Sequence, residues 1–288
     1  MTGNTYFFAV TAYDLAGVES APSHEIMFPA PQKRLSNVST RALVQSGERV
    51  AIGGFIIKGG EKSVMVRALG PSLTALGVTS ALANPVLDLY DSTGTLIASN
   101  ENWRSSQQAE IQQSGLAPTN DGEPAMIQSL PEGSYTAVLR SANNTTGIAL
   151  VEVFDLEPQG SSSIANISTR ADVEIDDNVM IAGFIIGGDQ PSKVLVRAIG
   201  PSLTQYGVSG ALPDPTLELH DQNGSLIFQN DNWRTDQEQQ ILDSTLAPSD
   251  DKESAIIATL QPGGYTAVVR GQNNSTGIAL TEVYSLDQ

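Results

Sequence analysis

The chain has 288 residues, a formal net charge of −17, 40% hydrophobic residues and no cysteine. So acidic a balance argues against phosphate contacts to nucleic acid and against a polybasic membrane anchor. The missing cysteine removes disulfides, thiolate metal sites and cysteine nucleophiles, and no run of about 18 apolar residues offers membrane insertion.

The first element, residues 1–34, reads as a β hairpin with a linker. Two apolar runs, Tyr6 to Tyr13 and Ile26 to Phe28, flank a polar turn. A lone two-stranded hairpin is marginal in water. Its apolar residues Phe7, Val10, Tyr13, Ile26 and Phe28 are therefore expected at a subunit contact, against a sheet edge of this chain or of the next copy. The N-terminus carries no basic and apolar leader of signal-peptide type. A chain that starts inside a hairpin reads as a fragment or a processed product.

The rest is a duplication. "SNVSTRALVQSGERVAIGGFIIKGGEKSVMVRALGPSL" (36–73) answers "ANISTRADVEIDDNVMIAGFIIGGDQPSKVLVRAIGPSL" (165–203), and the match runs on to "TGIALVEVFDL" (146–156) and "TGIALTEVYSL" (276–286). The offset is 129 residues before the loop at 58–63 and 130 after it. Repeat 1 spans 35–156, a short linker 157–163, and repeat 2 164–288.

Within each repeat the strands are read in order. Val50–Ile57 and Val64–Ala68 are apolar, β-branched runs; Val86–Tyr90 and Thr95–Ala98 flank a turn; Tyr135–Arg140 and Ile148–Phe154 flank a longer hairpin loop. Short strands with turn signals between them predict a β-sandwich. The Gln-rich stretches 104–118 and 234–248 predict one short helix each, capped by Ser105 or Thr235 and stopped by Pro118 or Pro248. The expected fold is all-β: two tandem jelly-roll-like β-sandwich domains, each with one short helix, preceded by a β hairpin.

Four features carry candidate chemistry. "GPSL" (70–73, 200–203) follows a strand, but it lacks G-x-G-x-x-G and a following Lys, which excludes a P-loop and leaves a strand-ending turn. Trp103 and Trp233, the two tryptophans, sit in Asn-rich loops. They are candidates for stacking on a sugar face, although a core-sealing role is favoured because aromatics make up only 6% of the chain. Asp88, Asp91, Asn100 and Asn102, with Asp214, Asp221, Asn230 and Asp231, offer oxygens of the kind calcium takes, yet without an EF-hand pattern. No other cofactor is indicated. Arg41/Arg170, Arg67/Arg197, Arg104/Arg234 and Arg140/Arg270 recur, as do Glu152/Glu282, and read as ion pairs that fix loops. Each repeat has too little histidine for a triad or a metal site, since the counterpart of His220 in the other copy is Tyr90. No enzymatic activity is expected.

Two resemblances follow from these residues. "TYFFAVTAYDLAGVESAPSHEIMF" (5–28) resembles the last hairpin of a fibronectin type III domain, about a third of such a domain. The duplicated unit, through "STRA", "GGFII", "RALGPSL", "DNW" and "TGIALVEVY", resembles a tandem repeat of large secreted and surface proteins of bacteria. Its second half is similar to bacterial pre-peptidase C-terminal β-sandwich domains, non-catalytic appendages of which some bind calcium or polymers. The resemblances imply a bacterial extracellular or cell-surface location and a module without an active site. The expected function is a structural subunit of a surface fibre, assembled head-to-tail from copies of itself through the hairpin. The alternative is a module, calcium-dependent in one version, that binds surface polysaccharide for a larger secreted enzyme or adhesin.

Overall fold

The computed structural model of the chain describes residues 6–8, 24, 26–28, 33–47, 49–158, 162–176 and 178–287. The first repeat contributes β3 (Lys33–Val44), β4 (Ala51–Lys58), β5 (Lys62–Leu69), β6 (Pro85–Asp91), β7 (Leu96–Asn100), α1 (Gln108–Gln113), β8 (Ala125–Leu130), β9 (Gly133–Ser141) and β10 (Gly147–Asp155), after the hairpin β1 (Tyr6–Phe8) and β2 (Ile26–Phe28). The second repeats the order: β11 (Ser163–Val173), β12 (Met180–Gly188), β13 (Ser192–Ile199), β14 (Pro215–Asp221), β15 (Leu226–Asn230), α2 (Glu238–Asp243), β16 (Ser254–Leu260), β17 (Gly263–Gly271) and β18 (Gly277–Ser285). The protein is an all-β sandwich, as the alternating apolar pattern predicts, with one short α-helix and short 3-10 segments in each repeat.

Alternation explains the strands. In β4 the residues Ala51, Gly53, Phe55 and Ile57 are buried while those between them are half-covered, the period of two that one covered sheet face imposes. Phe55 lies opposite Tyr135 of β9 and stacks on it with ring centroids 5.4 Å apart; Phe184 and Tyr265 repeat this at 5.7 Å.

The repeats do not close on themselves. The strand order runs β7-β6-β9-β4-β11-β18-β13-β16 in one row and β15-β14-β17-β12-β3-β10-β5-β8 in the other. Each row is built from both repeats, because the first strand of each lies between the last strand of its own repeat and the second strand of the other. Thus β3 pairs with β10 (Val38↔Val153) and with β12 (Val38↔Phe184), both antiparallel. The rows meet where β3 and β11 run parallel, Leu35 beside Ile164 and Leu43 beside Asp172. Inward side chains of both rows merge in one core, from Phe55, Leu87 and Val66 of repeat 1 to Phe184, Leu217 and Val196 of repeat 2.

The seam is made by equivalent residues. Thr40 and Thr169, one in each first strand and both buried, hydrogen-bond hydroxyl to hydroxyl. A Cβ on Gly54 would stand 2.4 Å from the Ser168 hydroxyl, and one on Gly183 2.6 Å from that of Ser39. A side chain at either position would have to push that hydroxyl aside, while the exchanged strand's backbone lies at an ordinary 3.9 Å. Asp172, almost fully buried, accepts from Gln45 Nε2 at 2.6 Å and from Arg49 Nη1 at 2.9 Å, tying repeat 2 to the loop after β3. The seam is thus closed by backbone pairing and locked by a few polar contacts.

The helices depart from expectation in their caps. Ser105 and Thr235 do not start them. Their hydroxyls donate back to Asn102 O and Asn232 O, both at 2.7 Å, and so close the preceding turn. Each helix begins after Gln107 or Gln237, held at φ 55° and 58°, and ends well before Pro118 or Pro248.

Candidate functional site

The hairpin is the first candidate. β1 and β2 pair antiparallel, Phe7 opposite Met27, and form a two-stranded sheet of their own. No other described strand pairs with them. Val10 and Tyr13 lie outside the described residues, and so do the side chains of Phe7, Ile26 and Phe28.

The tryptophans are placed in the interior, which corrects their candidacy for sugar stacking. Trp103 packs with Met65, Ile111 and Ala125, and Trp233 with Leu195, Ile241 and Ala255. Each is covered by the next residue's guanidinium, Arg104 at 4.5 Å and Arg234 at 4.1 Å from the ring centroid. The ring face that a sugar needs is therefore occupied. Arg104 in turn pairs with Asp121 and Arg234 with Asp251, both at 2.5 Å. Arg67 Nε meets Glu152 at 2.6 Å and Arg197 Nε meets Glu282 at 2.5 Å; their Nη1 groups donate to Leu116 O and Leu246 O. These guanidiniums bind loops to strands, the role their recurrence suggested. Burial, followed by the charge of Glu282, pushes the Tyr284 phenol far up.

Six of the eight calcium candidates are engaged elsewhere. Asp88 takes Arg140 Nε at 2.7 Å and Ser99 Oγ at 2.5 Å. Asp91 and Asp221 close the β6–β7 and β14–β15 turns by accepting backbone N–H groups at 2.8–2.9 Å. The Thr93 hydroxyl lowers Asp91 most, and the Ser225 amide lowers Asp221 most. Asn102 accepts Arg104 N at 2.8 Å; Asn100 and Asn230 accept Ala125 N and Ala255 N at 3.2 and 3.1 Å. Only Asp214 and Asp231 come together. Each keeps one buried oxygen without a hydrogen-bond partner, while Asp231 Oδ2 takes Gln272 Nε2 at 2.8 Å. Burial first, then the charges of Asp231 and Asp250, hold the Asp214 carboxyl above its ordinary range. Among the described residues no group of three or more metal-ligating His, Asp or Glu side chains is gathered.

Two sets of residues escaped sequence reasoning. The first is Glu123 and Glu253, both fully buried. Glu123 Oε1 accepts Gly70 N, Ser72 N and Ser72 Oγ at 2.8, 2.9 and 2.6 Å; Glu253 does the same for Gly200 and Ser202. The amide cradle of "GPSL" is filled by the protein's own carboxylate. A carboxylate in both copies, 53 residues beyond the glycine whose amide it accepts, was the available signal.

The second set governs the outer strands. β8 and β16 end their rows, yet both backbone groups of Ile127 and of Ile257 are occupied. Gln107 Nε2 donates to Ile127 O at 2.8 Å while Ile127 N donates back to Gln107 Oε1 at 3.0 Å; Gln237 and Ile257 repeat this at 2.8 and 2.9 Å. A side-chain amide carries the donor and acceptor of a peptide, so each glutamine substitutes for one residue of a missing strand, with Asn100 or Asn230 beside it. No described side chain does this for β7 or β15. Their residues Leu96, Ile97, Leu226, Ile227 and Phe228 are exposed apolar groups. An exposed apolar edge without such protection is a template for strand pairing.

Two of the surface indentations of repeat 2 are lined by polar or charged groups. One of ≈ 410 Å³ is lined by Thr216, Glu218, Gln229, Asn230, Asp231 and Asp236. Another of ≈ 550 Å³ runs between Arg170, Arg197, Leu203, Tyr206, Pro248 and Leu280.

No protein-family model matches the chain, and no curated protein matches it. Among solved structures, a DUF4785 family protein from Legionella pneumophila is similar at TM-score 0.27 and 10% identity, over 99% of this chain. The chain spans 65% of the length of that protein.

Proposed function

We propose that this chain is a non-catalytic structural subunit of a bacterial extracellular fibre, assembled head-to-tail, with the N-terminal hairpin of each copy adding to a sheet of its neighbour. One observation carries the reading: β1 and β2 form a sheet of two strands that no other described strand joins. So small a sheet is stable only when extended or covered. Strand addition supplies the extension, with main-chain hydrogen bonds giving affinity. A contact between two different surfaces, repeated without closing, produces a filament. Electron microscopy and sedimentation of the full chain test this. Regular fibres that disappear on deletion of residues 1–30 are expected; monomers at every concentration would refute it.

A second reading, a polysaccharide-binding accessory module, is favoured by the ≈ 410 Å³ indentation, whose carboxylates and amides suit sugar hydroxyls. Asp214 and Asp231 beside it are the pair left to hold calcium. Polysaccharide binding that is lost on Gln229→Ala, in a chain that stays monomeric, would favour this reading over the first.

A further inference from the structure

We infer that the outer edge of β15 is the acceptor, and that its occupant is the β1–β2 hairpin of a second copy. The inference rests on the fibre reading and names the surface that reading requires.

The strand rows have four outer ends. β8 and β16 are closed by Gln107 and Gln237, whose amides take up both backbone groups of Ile127 and Ile257. That leaves β7 and β15. Natural edges are guarded by lysines, prolines and bulges. Neither strand, nor the turn before it, contains a charged residue or a proline across 92–100 and 222–230. The one guard present is a bulge at Ile227, next to the turn; beyond it Phe228, Gln229 and Asn230 pair in regular register with Leu219, Glu218 and Leu217. Between the two edges, β15 exposes Phe228 where β7 has the half-buried Ala98.

Charge selects the occupant. Copies with net charge −17 repel one another, so they meet most easily where the two facing strands themselves carry no charge. The described hairpin strands, Tyr6–Phe8 and Ile26–Phe28, carry no charge, as β15 carries none.

Because the chain contains no cysteine, engineered pairs report without background. Gln229→Cys combined with Phe7→Cys or Met27→Cys is expected to give a reducible ladder of multimers. Disulfides form only where Cα atoms come within about 7 Å. Ser99→Cys, at the matching site of β7, is expected to give none. Phe228→Lys, a surface change, is expected to raise the concentration needed for assembly about tenfold, while Ala98→Lys leaves it unchanged. A ladder from the Ser99 pair, a cross-linked monomer, or assembly indifferent to Phe228→Lys would overturn the β15 assignment while fibres persist. If the unmodified chain forms no fibres, the fibre reading falls as well.

Discussion

The seam between the repeats and the outer ends of the strand rows solve the same problem in different ways. At the seam, β4 and β12 would each expose an unpaired edge if its repeat folded alone. Each is instead covered by the first strand of the other repeat, backbone against backbone, with a glycine beside a serine hydroxyl of that strand. At β8 and β16 a single glutamine does locally what a whole strand does at the seam. At β7 and β15 no described side chain takes up both backbone groups of a residue; Ser254 Oγ donates to Asn230 O at 3.0 Å, at the end of β15. An edge closed by backbone becomes part of the core, one closed by a side chain becomes a boundary, and one left open and apolar is a template for strand pairing.

The largest expected effect concerns the point where the chain leaves repeat 1 for the seam. Lys62, with no exposed surface, donates from Nζ to Asp155 at 2.7 Å and to Glu157 O at 3.1 Å. Its counterpart is Ser192, which holds Asp287 by a hydroxyl at 2.7 Å. Lys62→Ala strands a buried carboxylate and is expected to lower stability by about 3–5 kcal/mol, whereas Ser192→Ala costs about 1 kcal/mol. Calorimetry should show one transition in each case, since both rows contain both repeats. Two transitions, with only the first shifted by Lys62→Ala, would mean that the repeats unfold separately.

Next in size is the seam's centre. Thr40→Val leaves the Thr169 hydroxyl buried without its partner, at a cost of about 1–3 kcal/mol. Replacing both threonines removes both polar groups and is expected to be close to neutral. Denaturant unfolding of the two single variants and the double variant gives the coupling. Additive losses would show that the hydroxyls do not meet. Smaller again is Gln237→Ala, which opens two backbone groups of Ile257 and should cost about 1–2 kcal/mol. It should also open an acceptor edge besides β15, seen as faster sedimentation than the parent at equal concentration.

Much of this architecture was legible in the residues. The duplication, most of the strands and the short helices follow from repeated motifs and from alternation. The exchange does not. "SNVSTRALV" and "ANISTRADV" are so alike that pairing with β4 or with β12 offers a first strand nearly the same side-chain chemistry. The choice falls to the short linker and to contacts such as Asp172 with Gln45 and Arg49, where the copies differ. Asn100/Asn230 and Gln107/Gln237 keep an amide in both copies, a signal of groups that must donate and accept together; in the sequence the asparagines read only as calcium candidates and the glutamines only as part of a Gln-rich helix. Glu123 and Glu253 gave no periodic signal, because their partners lie in a distant loop.

The smallest prediction contrasts the repeats directly. Asp214 stands where repeat 1 has Asn84, and Asp231 where it has Glu101. Burial and the neighbouring charges of Asp231 and Asp250 raise the Asp214 carboxyl in the folded state above its ordinary value of 3.8. A raised carboxyl favours folding while it is protonated. That contribution is complete below 3.8 and is lost as pH climbs through the folded value. At pH 7 the ionised group therefore opposes folding, and Asp214→Asn, which copies repeat 1, should raise the melting temperature. The gain should shrink as the pH is lowered toward 3.8 and vanish below it, in melting curves taken across that range. A gain that stays constant with pH would point to packing of the amide instead of relief of charge. A loss at neutral pH that deepens when calcium is added would mean that Asp214 serves repeat 2 as a ligand.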